Sequence, residues 1–330
     1  MKETIKKLTE CFGPSGHETA VREAILAELP RGLETRVDAM GNLIVHRKGK
    51  AGGWRLMLAA HMDEIGIVVT HVDARGFLRF GNVGGVHLLP LLGGRVQFAD
   101  GTIGAIGVEK TDDANKIPGM EKFYIDVGAK SPDDCPVRVG DVACFHRTCE
   151  ERGSRIVAKA MDDRVGCAVL VHVLKDLKEC PHDLYVVFTV QEEVGLRGAT
   201  AAGFSVEPDV ALAVDITLTG DTPECAPMAV SLGAGPAVKI KDRAMLAHPG
   251  VKDWLLRTAE ASGIPCQREV LVMGTTDASV IQVSRAGVPS GCLSIPTRYA
   301  HSPSEMVDYG DVQASVRLLL GALAGPIDIG

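Results

Sequence analysis

The sequence predicts an α/β protein: a mostly parallel central sheet flanked by helices, with a small β-barrel inserted into it. Three observations carry that expectation. Helical and extended periodicities alternate up to about Ile67 and resume after Ile156. Between roughly Val68 and Arg155 helical periodicity disappears, and short β-like runs separated by Gly, Asp and Pro take over. Four apolar runs in the alternating parts end in His, Asp or Glu, where open α/β sheets place their ligand sites. At 330 residues the chain exceeds the usual single-domain size, which favours two domains.

The elements follow in order. Met1-Lys2-Glu3-Thr4-Ile5-Lys6-Lys7 runs into an amphipathic helix, not into the apolar core of a leader peptide. A Gly-rich turn follows, and Val21, Ile25 and Leu29 at fourfold spacing mark a second helix. Strands are expected around Leu43 to His46 and Leu56 to Ala60. The inserted stretch carries β-like runs at Phe77 to Phe80, Arg95 to Phe98, Ile103 to Val108, Phe123 to Val127 and Val142 to Phe145. After it come a helix from about Val165 to Leu177, buried strands at Leu184 to Val190, Val210 to Val214 and about Val288 to Ile295, and a final helix.

The strand ends carry the chemistry. The run Leu56 to Ala60 delivers His61-Met62-Asp63, and alternation along an extended chain turns His61 and Asp63 to the same side. Asp63 can then accept a hydrogen bond from the far ring nitrogen of His61, which fixes the tautomer of a metal-bound histidine. Asp162-Asp163 precedes a helix, where capping alone is an ordinary explanation. The strand Leu184 to Val190 ends in Gln191-Glu192-Glu193, however, and adjacent buried carboxylates call for a cation or a shared proton. Neighbours on an extended chain point apart, so one of this pair suits a ligand and the other a general base; spacing does not decide which. Asp215 and His301 close two further strands. Together His61, Asp162, Glu193, Asp215 and His301 are two imidazoles and three carboxylates, the donors a pair of divalent ions needs when one carboxylate bridges them.

The stretches His61-Met62-Asp63-Glu64-Ile65-Gly66, Met161-Asp162-Asp163-Arg164-Val165-Gly166, Gln191-Glu192-Glu193-Val194-Gly195, Val214-Asp215 and Pro296-Thr297-Arg298-Tyr299-Ala300-His301-Ser302-Pro303 resemble those of the tetrahedral dinuclear-metal aminopeptidases. These are the glutamyl and deblocking aminopeptidases, some labelled endoglucanase M. The similarity extends from Pro14-Ser15-Gly16-His17-Glu18 to the final helix. It implies a zinc-exopeptidase-like sheet and a metallo-aminopeptidase that removes N-terminal residues from peptides through a metal-bridging hydroxide. Asp162 would bridge the two ions, His61 and Asp215 would complete one site, and Glu193 and His301 the other. Glu192 would be the general base and Asp63 the orienter of His61. Asp163 would support them through a strained peptide to Asp162 for which the cis form is open. Residues 1–67 and 156–330 would form the catalytic domain and 68–155 the oligomerisation domain of a homo-oligomer, a dodecamer in the family form.

The ions implied are Zn²⁺ or Co²⁺, with Mn²⁺ also compatible with the donors. A net charge of -7 and scattered basic residues argue against nucleic acid or an anionic membrane as partner. Nine cysteines without a C-x-x-C pair fit a reducing compartment, and no apolar run approaches the roughly 20 residues that span a bilayer, so the cytoplasm is expected. Gly274-Thr275-Thr276-Asp277-Ala278 reads as a helix cap in preference to a site for the substrate amine. Arg298 is open to contact with substrate or to pairing with a surplus carboxylate, and His87 and His248 lie in loops. The alternatives of the same clan are a dipeptidase, a carboxypeptidase or an N-acyl amino acid deacylase. Outside it stand a glycosidase, which uses paired carboxyl groups and no metal pair, and a non-catalytic assembly protein.

Overall fold

A computed structural model describes residues 1–50, 52–110 and 117–330. Helices α1 (Lys2–Glu10) and α2 (Thr19–Glu28) precede strands β1 (Glu34–Val37), β2 (Leu43–Arg47) and β3 (Arg55–His61). Six strands then close a barrel: β4 (Gly66–Val72), β5 (Leu78–Val83), β6 (Arg95–Phe98), β7 (Ile103–Val108), β8 (Phe123–Asp126) and β9 (Val142–Phe145). The chain returns through β10 (Glu150–Arg152) and β11 (Arg155–Ala158) to α3 (Met161–Asp176), β12 (Asp183–Thr189), α4 (Arg197–Val206) and β13 (Val210–Thr217). It ends with β14 (Ala237–Lys241), α5 (Pro249–Ala261), β15 (Gln267–Val270), α6 (Ala278–Ile281), β16 (Ser290–Arg298), β17 (Glu305–Asp308) and α7 (Tyr309–Ala324).

The large sheet has the order β1-β2-β12-β3-β13-β16-β17-β11-β10, with β14 and β15 branching from β16. Its centre, β12-β3-β13-β16, is parallel as the buried apolar runs suggest. Towards both margins pairing turns antiparallel, so the sheet is mixed. β13 is buried along its whole length, which explains why Val210-Ala211-Leu212-Ala213-Val214 reads as continuous apolar sequence instead of alternating. Helix α3 is buried on nearly every side, because it lies against β3 and β13 with α1 and α7 beyond it.

The barrel keeps a core of its own, built from Ile67, Val69, Leu78, Phe80, Val96, Ile125 and their neighbours. The main core gathers around α3 and the parallel strands. Burying each Leu, Ile, Val or Phe contributes roughly 1.5–3 kcal/mol, so each layer has its own apolar support. The barrel strands run from Gly66 to Phe145. β10, within the stretch expected to be inserted, pairs with β11 in the large sheet.

A buried charged knot ties the N-terminal segment to the strand ends. Lys159 Nζ lies 2.7 Å from a Glu64 carboxylate oxygen, and the fully buried Arg164 reaches the same carboxylate at 3.2 Å. Arg164 also donates to the carbonyls of Leu8, Gly13 and Met62. Glu64 and Arg164 each sit one residue beyond a candidate site residue, Asp63 and Asp163, so this knot holds two site-bearing segments together.

Candidate metal centre

β3, β12, β13 and β16 are neighbours with parallel register, and their carboxyl ends therefore meet along one edge of the sheet. Thr189 aligns with His61, which brings Glu192 and Glu193, just past β12, beside the imidazole. Asp215 enters from β13, and His301 from the turn after β16. Asp162 comes from the first turn of α3, where the backbone departs from helical geometry at both Asp162 and Asp163. The peptide between these two residues is cis.

The geometry separates the two aspartates. Asp162 Oδ1 lies 2.9 Å from His61 Nε2, and its Oδ2 lies 3.3 Å from His301 Nε2. His301 Nε2 is also 3.4 Å from Glu193 Oε1, and His61 Nε2 is 4.0 Å from Asp215 Oδ1. Two donor trios result, His61-Asp162-Asp215 and Asp162-Glu193-His301, and they share Asp162. Asp163 turns away: its carboxylate accepts from the Gly166 N–H, a capping bond of the first helical turn, and from the His61 N–H. The capping reading of the acidic pair holds for Asp163 and fails for Asp162, whose carboxylate faces the imidazoles.

Each imidazole is oriented through its other nitrogen. His301 Nδ1 lies 2.8 Å from the carbonyl of Gly85, in the loop after barrel strand β5. His61 Nδ1 lies 3.2 Å from the Asp63 carbonyl and 3.4 Å from its carboxylate. The backbone carbonyl is thus the nearer acceptor, because the Asp63 carboxylate is engaged elsewhere. It accepts from Ser15 Oγ at 2.6 Å and from the N–H groups of Glu192 and Glu193 at 3.0 and 3.2 Å. Engagement of both Nδ1 atoms turns the Nε2 atoms to the carboxylates, the nitrogens that a metal ion would take in place of a proton.

Several contributors were not singled out from sequence. Glu305 accepts from the Asp162 N–H at 3.0 Å and from the His301 N–H at 2.7 Å, fastening two cluster segments with one carboxylate. Gly85 has no Cβ, and one built there would lie 2.7 Å from His301 Nδ1. His87 borders the central cavity, its ring centroid 6.0 Å from that of His301; His248 borders a different one. Asp277 is not a cap. Its backbone is already helical and its side chain makes no capping bond; it turns inward to accept from Thr189 Oγ1 at 2.5 Å. Arg298 pairs bidentately with Asp221, at 2.9 and 2.7 Å, instead of with a carboxylate of the cluster.

Among the described residues eight non-glycine ones adopt positive φ, and Ala160, Gln191, Leu196, Tyr299 and His301 among them flank or line this region. Such backbone costs of order 1–3 kcal/mol per residue and persists where the surroundings over-determine it, typically at functional sites.

The cluster is short of positive charge. Burial pushes Glu193 up to about 7, Asp162 adding to the effect, and Asp215 and Glu192 rise well above the carboxylate range for the same first reason. Burial likewise lifts Glu305 to about 8. In the imidazoles burial acts downward and is outweighed: hydrogen bonds to Asp162 and Asp63 raise His61, and Asp162 with the Glu193 charge lifts His301 to about 10. Asp162 stays below its usual range, since contact with both imidazoles overcomes its burial. Carboxylates crowded in this way hold protons until cations replace them. Two shared trios of oxygen and imidazole donors therefore fit two divalent ions.

The cluster opens into a cavity of about 500 Å³ bordered by Glu192, Leu196, Leu218, Met273 and Thr276. A family model described as M42 glutamyl aminopeptidase matches residues 41–318 of the chain. A putative aminopeptidase of Acetivibrio thermocellus is 47% identical over 98% of each chain. The lysyl aminopeptidase of Pyrococcus furiosus is 32% identical over 96% of this chain and 94% of its own. Among solved structures, an aminopeptidase of the archaeon Desulfurococcus kamchatkensis has a TM-score of 0.94 at 41% identity, over 98% of this chain and 94% of its own. The TET1 peptidase of Pyrococcus horikoshii, which assembles into a tetrahedron or a large octahedral shell, has a TM-score of 0.88 at 33% identity over 98% of both chains.

Proposed function

The chain belongs to the M42 glutamyl aminopeptidase family, whose members are metal-dependent, and from that premise we propose that this peptide hydrolase removes residues one at a time from the free amino end of peptides. The observation that carries the reading is the position of Asp162, with one carboxylate oxygen towards each imidazole. His61 and Asp215 would hold one divalent ion, Glu193 and His301 the other, with Asp162 common to both. Such a pair supplies Lewis acidity, which polarises the scissile carbonyl and brings water ionisation towards neutral pH.

The protein supplies the rest. Glu192 borders the cavity without belonging to either donor trio, so it is placed to accept a proton from the attacking water and return it to the departing amine. Asp63 acts as a positioning residue: it holds the backbone of Glu192 and Glu193 and lies against His61. Membership of a peptidase family sets the glycosidase reading aside. A homo-oligomer is supported by the likeness to a shell-forming peptidase, and in this reading the barrel is its contact domain and twelve subunits its expected size. A cytoplasmic location is supported by nine unpaired cysteines. Among the described residues no helix is long and apolar enough to cross a membrane.

Hydrolysis of a short peptide amide with a free or an acetylated amino end, measured after chelation and again after metal addition, tests the reading. The free peptide should be cleaved only when metal is present, and the acetylated one should be spared. Chelator-resistant cleavage, or equal cleavage of both, would contradict it.

A further inference from the structure

The central cavity has a side lobe of about 290 Å³, and the two share walls at Leu218, Leu271 and Met273. The lobe is built from continuations of the cluster-bearing segments: Leu218 follows Asp215 by three positions, and Arg298 precedes His301 by three. A peptide whose amino-terminal residue sits at the cluster would therefore direct its first side chain here. The lining is mostly apolar, with Met228, Val270, Leu271, Met273 and Tyr299 among its members. Val272 and Met273 are 77% and 66% exposed, so an apolar wall faces solvent beside a polar centre, the usual sign of a surface meant to be covered.

Charge decides what covers it. Among the described residues lining the lobe Arg298 is the only ionised side chain, and Asp221 pairs with the Nε–Nη2 edge of its guanidinium. That pairing keeps Asp221 well below the usual carboxylate range. A lysyl side chain would find no free carboxylate in the lobe, and a glutamyl one no free cation. Resting on the aminopeptidase reading, we propose that this lobe receives the side chain of the N-terminal residue and selects a neutral aliphatic one, of leucine or methionine size. The Arg298–Asp221 pair acts as a specificity element: it cancels the charge that would otherwise favour an acidic residue. The activity named for the family and that named for the Pyrococcus furiosus relative concern charged residues of opposite sign. The lobe is complementary to neither.

The test is kcat/KM of the metal-loaded protein on leucyl, methionyl, lysyl and glutamyl amides of one chromogenic amine. Leucyl and methionyl substrates should exceed the two charged ones by about a hundredfold, since an unpaired charge must be desolvated in the lobe. Asp221→Asn should release Arg298 and raise the glutamyl-to-leucyl ratio about tenfold. Met273→Lys, at an exposed position that tolerates substitution, should move the ratio in the same direction and provides the readout if the first variant fails to fold. A wild-type preference for lysyl or glutamyl amides would overturn the assignment while leaving the aminopeptidase reading intact. No hydrolysis of any amide would defeat that reading and the inference with it. Unchanged ratios in a folded variant would also overturn it, and a change in the mass of the assembly alongside them would give the patch to a subunit contact.

Discussion

Asp162 is flanked by His61 at 2.9 Å and His301 at 3.3 Å, on different oxygens, and Glu192 stands in the same cavity without belonging to either donor trio. Replacing Glu192 by Gln should therefore leave two ions bound, by elemental analysis, while kcat falls on the order of a hundredfold or more. Loss of an ion in Glu192→Gln would reassign the residue as a ligand. At this scale the sequence was informative where a side chain's role follows from its place in an element. His61, Glu193 and Asp215 end or follow continuous apolar runs whose burial is plain from composition. It was silent where two similar residues are adjacent, because only the folded backbone turns Asp162 to the imidazoles and Asp163 to its own helix. Asp277 misled for a related reason. Thr-Asp before an apolar run looks like a cap, but Asp277 is already within helical geometry and its side chain goes inward to Thr189.

Among elements, the contact of the barrel with the sheet had the weakest trace in the sequence. The Gly85 carbonyl orients His301 across a separation of 216 residues, Glu305 fastens the Asp162 backbone across 143, and Ser15 reaches Asp63 across 48. No local pattern encodes such approaches. The alternating helices and strands, and the barrel's run of short strands, were legible because each follows from a period within a few residues. Gly85→Ala tests the barrel's part in the centre. The added methyl would lie 2.7 Å from His301 Nδ1, so the ring or the loop must shift. Affinity for one of the two ions should fall about 10- to 100-fold, the usual cost of disturbing a ligand's outer partner, while the other ion is retained. Competition with a fluorescent chelator would measure it, and unaltered affinity at both sites would separate the barrel loop from the centre.

For the whole molecule, the excess of buried carboxylates ties stability to pH and to cations. In ion-free protein Glu193 and Glu305 titrate near 7 and 8 instead of 4.5, first because they are buried, and His301 near 10 instead of 6.5, where contacts with Asp162 and Glu193 outweigh burial. All three hold their protons more tightly when folded. Their contribution is complete below the unfolded values, and it is lost as pH rises through about 7 to 8 for the glutamates and about 10 for the histidine. Asp162 has the opposite sign, but its effect lies below pH 3.8. The Tm of chelated protein should therefore fall between about pH 5 and pH 8.5, and added divalent metal should raise it most at the alkaline end. A Tm that climbs across this interval would contradict the charge assignment. The most direct measurement is anomalous diffraction from metal-loaded crystals, recorded at the absorption edge of the bound metal. Two peaks per chain should lie one on each side of the Asp162 carboxylate, against His61 and Asp215 on one flank and Glu193 and His301 on the other. A single peak, or peaks that do not share Asp162, would contradict the account.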